Sequence, residues 1–166
     1  MFRYTPLFVG LVACGEAPVH DGFDQWTEFT EVQAVLDDLP DDFTLMNAEP
    51  FPSEASEGRL LNVWANALAR EAYDYVHIDG DAVGGKLPTG AMIVRELREA
   101  DGTWVKYTVI VQQPEGSMPD SQDMWFGETD GEGTLQADVE SVACFSCHAG
   151  RADFAYLYGV PTDYAR

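Results

Sequence analysis

Apolar residues recur at helical spacing from Trp26 through Phe29, Val32, Val35, Leu36 and Leu39, and this period predicts an amphipathic helix. Thr30 and Gln33 have capping-box spacing, which marks Thr30 as a candidate helix start, and Pro40 supplies a stop. Residues 41–57 are acidic, contain Pro50 and Pro52, and read as a surface connection. The pattern then changes. Leu60-Leu61-Asn62-Val63-Trp64-Ala65 is a short apolar run of strand type, and Ala67-Leu68-Ala69-Arg70-Glu71-Ala72-Tyr73 is a run of good helix formers. Residues 80–90 are rich in Gly and Pro and predict a loop. Two strands follow, Ala91-Met92-Ile93-Val94-Arg95-Glu96-Leu97 and Trp104-Val105-Lys106-Tyr107-Thr108-Val109-Ile110-Val111. Asp101-Gly102 between them predicts an antiparallel hairpin. A loop over 114–123 leads to a further strand, Met124-Trp125-Phe126-Gly127, and Asp130-Gly131-Glu132-Gly133 reads as a turn. A helix is predicted over 139–149. The tail, with Phe154, Tyr156, Leu157 and Tyr158, is aromatic and expected to pack beside whatever that helix carries. Strands in the middle and helices at the flanks define an α+β chain.

The last predicted helix contains Cys144-Phe145-Ser146-Cys147-His148, a C-x-x-C-H. Two thiols at i and i+3 can add to the two vinyl groups of a haem, and the following His then becomes an axial ligand of the iron. The spacing is also that of half a zinc site or of a reactive dithiol. A four-ligand zinc site needs a second Cys/His pair, and no other Cys lies nearby; His20 and His77 stand far upstream. A redox dithiol needs no following His and sits in a βαβ setting. One covalent haem c on Cys144 and Cys147, with His148 as metal ligand, is therefore expected.

Residues 1–13 carry Arg3, then the apolar run Leu7-Phe8-Val9-Gly10-Leu11-Val12 and the small residue Ala13 before Cys14. This is the layout of a secretory signal peptide, too short for a permanent span. Leu11-Val12-Ala13-Cys14 resembles a bacterial lipobox, in which the Cys becomes the first mature residue and carries lipid. Gly15 resembles the sorting position of outer-membrane lipoproteins. The alternative is a buried strand with an incidental Cys. Lipidation of Cys14 supplies more than one acyl chain, as stable anchoring requires. All three cysteines then have a use, and both uses require export, because bacterial haem c is attached outside the cytoplasm. The expected organisation is a signal peptide over 1–13, a tether over 14–24 and one haem domain over 25–166, on the periplasmic face of the outer membrane.

Nine basic and 29 acidic residues give a formal charge of −20. Such a field disfavours nucleic acid and favours basic partners or cations; solubility or a saline habitat accounts for it equally well. A basic redox partner is the sharper expectation.

From about residue 60 to 160 the chain resembles the cytochrome P460 family, which includes the beta-type cytochromes c′. The resemblance is carried by Val63-Trp64-Ala65-Asn66-Ala67 with Tyr73 and by Leu87-Pro88-Thr89-Gly90-Ala91-Met92-Ile93-Val94-Arg95-Glu96-Leu97. The strand at Trp125 and the C-x-x-C-H followed by Asp153-Phe154-Ala155-Tyr156 complete it. It implies an antiparallel β-sheet with flanking helices, haem lying against the sheet, His148 as proximal ligand and a distal side that is often open. It also implies that a homodimer is among the expected states. Members that oxidise hydroxylamine carry a distal Lys cross-linked to haem, and the matching position here is Arg95. A guanidinium stays protonated and is a poor nucleophile, so that cross-linked mechanism is not expected. Ala91, Ile93, Arg95 and Leu97 share one strand face. If that face covers the haem, Arg95 is a donor to a propionate or to a ligand on iron; otherwise it pairs with a surface carboxylate. Met92, Met118 and His77 are the candidates for a sixth ligand, each also readable as core or surface. The leading expectation is a cytochrome that binds nitric oxide or a related small nitrogen oxide. The alternatives are a six-coordinate electron carrier and an enzyme acting on hydroxylamine or peroxide.

Overall fold

A computed structural model of the protein describes residues 25–39, 41, 43–53, 56–73, 86–136, 141–150, 157 and 159–166. The predicted signal peptide over 1–13, Cys14, the tether, His20, His77, Phe154, Tyr156 and Tyr158 lie outside the described residues.

The elements run α1 (Gln25–Asp37), β1 (Thr44–Leu45), β2 (Phe51–Pro52), β3 (Arg59–Ala65), α2 (Ala67–Tyr73), β4 (Met92–Glu99), β5 (Trp104–Gln112), β6 (Met124–Glu128) and α3 (Ser141–His148). The six strands form one antiparallel sheet in which β3, β4, β5 and β6 are consecutive neighbours. The chain is thus α+β, an antiparallel sheet with a few helices.

The hairpin between β4 and β5 follows from its turn residues. The Gly102 amide donates to the Glu99 carbonyl at 2.9 Å, and the Asp101 carboxylate accepts from the Thr103 amide at 2.9 Å. Gly102 has φ +88°, a left-handed conformation that glycine adopts without a Cβ penalty. Further along the ladder the register shifts between Leu97 and Arg98, which pair with Lys106 and Trp104, leaving Val105 as the extra residue of a bulge.

Alternation along the strands separates two layers. One face carries Leu61, Val63, Ala65, Ile93, Leu97, Ile110, Met124 and Phe126, and packs with Ala69 of α2 and Phe145 of α3. Leu157 of the predicted aromatic tail is buried in the same core. The other face carries Val94 and Val109 under Val32 and Leu36 of α1, with Trp64, Met92 and Trp125 around them. The α1 spacing is as read from the sequence, but the helix includes Gln25 and Thr30 is interior to it. Gln33 forms no cap. Its amide donates to the Gly133 carbonyl at 3.1 Å and accepts from the Leu135 amide at 2.6 Å, tying α1 to the loop after β6.

Residues 41–57, expected to be a surface connection, contribute two short strands to the sheet. β1 and β2 pair with opposite ends of β3, and between them Asn47 is fully buried. Its side-chain oxygen accepts from the Val63 amide at 2.8 Å, while its amide donates to the Glu49 carbonyl and to Asn62, each at 2.9 Å. The side chain fills the gap between two very short strands. Pro52 is tolerated because it lies on an edge strand.

Candidate functional site

Two elements build the site. The first is β4, whose start is set by Asn66. The Asn66 oxygen accepts from the Ala69 amide at 3.0 Å, capping α2 in the manner favoured for Asn, and from the Met92 amide at 3.1 Å. This anchor sends Ile93, Arg95 and Leu97 to the face away from α1. The second is α3, which carries Cys144 and Cys147 one turn apart and ends on His148. The helix lies over β6: the Phe145 and Phe126 rings are 6.4 Å apart and the His148 ring meets the Phe126 ring edge-on at 5.0 Å.

Between helix and sheet is a cavity of about 210 Å³, lined by Cys144, Cys147 and His148 from α3 and by Arg95, Thr108, Ile110, Phe126 and Glu128 from the sheet. Arg95 pairs in register with Thr108, and Thr108 with Glu128, so a polar row crosses three strands beside the apolar row of Ile93, Ile110 and Phe126. Glu128 is held at the mouth by Lys106, Nζ to Oε2 at 2.6 Å. Arg95 Nε is buried without a hydrogen-bond partner, an uncommon condition for a buried donor. Burial, with Glu128 and Cys147 nearby, pushes the Cys144 thiol up from its ordinary pKa, against the opposing pull of Lys106. Cys147 is exposed, so the cavity opens to solvent at that residue.

The three motif residues and Arg95, 49 positions from Cys144 in the narrowest count along the chain, are thus brought to one cavity. Met92 is on the α1 face, and Met118 does not line the cavity. Trp125, the aromatic residue singled out on the late strand, also faces α1, and its neighbour Phe126 points inward. Thr108, Ile110, Phe126 and Glu128 were not anticipated. Their signal is the strand alternation counted across the hairpin from Arg95, which is misread unless the bulge at Leu97/Arg98 is included. Among the described residues no group of three or more His, Cys, Asp or Glu side chains is placed to hold a metal ion.

The donor set fits a covalently attached haem. Two thiols at i and i+3 and the adjacent imidazole line one cavity, the opposite wall offers apolar Ile110 and Phe126, and an unpartnered guanidinium nitrogen stands beside them. No protein-family model matches the chain, and no curated protein matches it. The resemblance to the cytochrome P460 family accordingly rests on the motifs quoted above.

Proposed function

We propose that the protein is a monohaem c-type cytochrome of the P460-like type, exported and lipid-anchored through Cys14, that binds nitric oxide or a related small nitrogen oxide. The observation that carries this reading is the meeting of Cys144, Cys147 and His148 with the Arg95 strand face in one cavity. A haem iron with a single protein ligand supplies an open coordination position for small diatomic molecules.

The protein's own residues do the rest. Cys144 and Cys147 would hold the haem through thioether bonds, each thiol giving its sulfur to one vinyl carbon and its proton to the other. His148 would supply an imidazole nitrogen to the iron, and its packing against Phe126 limits how the ring can turn. Phe126 and Ile110 line the sheet wall with hydrocarbon and exclude water. Arg95 lies at the edge of that wall, in the next pair on that face along from Ile93 and Ile110. An electron carrier with a sixth protein ligand is the second reading. Among the described residues, the position of Met92 on the other sheet face, and of Met118 away from the cavity lining, favours the open site.

The test is an optical spectrum of the protein made with haem-c maturation, recorded ferric, ferrous, and ferrous with nitric oxide. A high-spin ferrous spectrum that changes at once on adding nitric oxide is the expected result. A low-spin spectrum indifferent to the gas would sink gas binding and leave electron transfer.

A further inference from the structure

We infer that Arg95 holds a haem propionate, and not the ligand on iron. This rests on the haem reading above and assigns one of its residues a definite partner. α3 lies over β6, with Phe145 and His148 both against Phe126 and with Cys144 and Glu128 lining the same cavity. The thiols that take the vinyl groups therefore stand at the β6 end of the polar row. Vinyl and propionate groups occupy opposite edges of a porphyrin, so the propionates point away from β6, toward β4. Arg95 is two strands from Glu128, with Thr108 between them. Two strand spacings are about 10 Å, a distance of porphyrin dimensions.

Charge sets the same direction. Glu128 at the β6 end repels a carboxylate, and Lys106 beside it is already engaged with Glu128 at 2.6 Å. Among the described residues Arg95 is the only guanidinium or ammonium group lining the cavity. Its Nε is buried and unpartnered, and a carboxylate in reach supplies the missing acceptor with a charge-assisted bond. In a chain of formal charge −20, two further carboxylates entering a half-apolar cavity need such a cation nearby.

The experiment compares wild type, Arg95→Leu and Arg95→Lys as matured holoproteins. Midpoint potential is measured across the acid and neutral range, and nitric oxide dissociation is measured in the ferrous state. In Arg95→Leu the potential falls, because a cation that favours the ferrous state is gone. The inflection of potential against pH moves up by about 1–3 pH units, the usual effect of an adjacent arginine on a carboxyl group. Arg95→Lys restores much of both, and nitric oxide dissociation is unchanged. An unchanged potential profile with faster nitric oxide dissociation overturns the inference and gives Arg95 to the iron ligand. Should Arg95→Leu fail to retain haem, redox-difference infrared spectra of the wild type decide. A propionate titrating below the ordinary carboxylate range supports the pairing, and one titrating within it overturns the pairing. Wild-type protein without haem mass after denaturation would defeat the underlying haem reading instead, a result distinct from either.

Discussion

Asp123 shows how one carboxylate secures the loop that leads into β6. Its side chain is only 3% exposed, and Oδ2 accepts from Lys86 Nζ at 2.9 Å. Oδ1 accepts from the Met118 amide at 2.9 Å. Burial pushes the carboxyl pKa up, but Lys86 and the Met118 and Gly116 amides outweigh it and hold the group below its usual value. A depressed folded-state pKa contributes stability that is present above the unfolded value, about 4, and is lost as pH falls through the folded one. Asp123→Asn is expected to cost about 1–3 kcal/mol at neutral pH and to flatten the acid limb of stability against pH. Urea midpoints across the acid range check this; an acid limb as steep as that of wild type would refute the assignment. Gln122 and Asp123 both have positive φ, 57° and 62°, and no local sequence feature announced this pair. By contrast, the grouping of Cys144, Cys147 and His148 was legible at once, since they occupy neighbouring positions of one helix. Arg95 was legible through strand alternation. Thr108 and Glu128 were not, because their place beside Arg95 depends on a bulge outside the motif.

Gly127 illustrates what a single element demands. A Cβ built there would collide with the Trp125 indole and stand 3.1 Å from Val109 Cγ1. Glycine lets the indole fold back over its own strand on the α1 side, while the Gly127 backbone lines the cavity on the other. Gly127→Ala is expected to displace Trp125 and cost about 1–3 kcal/mol, as overpacking does. A lowered urea midpoint with a shifted tryptophan emission is the expected reading, and an unaltered midpoint would mean that β6 yields freely. The long elements, α1, β3, α2, β4, β5 and α3, were all readable from their periods or formers. β1 and β2 were hidden because two-residue strands have no period to detect. Their pairing depends on Asn47, whose burial comes from three hydrogen bonds and not from apolar character.

Over the whole molecule the dominant physical term is a formal charge of −20. Association with a cationic redox partner is expected to slow steeply as salt is raised, while association with an anionic one accelerates, because screening removes steering in the first case and repulsion in the second. Stopped-flow reduction at several ionic strengths tests this, and rates independent of salt would show that the acidic surface plays no part in docking. Among the described residues no helix is long and apolar enough to cross a membrane.

The α+β class, the hairpin turn at Gly102, the cap at Asn66 and the C-x-x-C-H were settled locally, by residues within a few positions of one another. Local rules suffice there because turns, caps and a C-x-x-C-H spacing involve groups already adjacent in the chain. The cavity itself was settled by folding. It needs α3 seated on β6, a register that aligns Arg95, Thr108 and Glu128, and alternation that turns Met92 and Trp125 to the far side. Each of those depends on contacts between residues tens of positions apart, where a shift of one residue in pairing would exchange the two faces of the sheet.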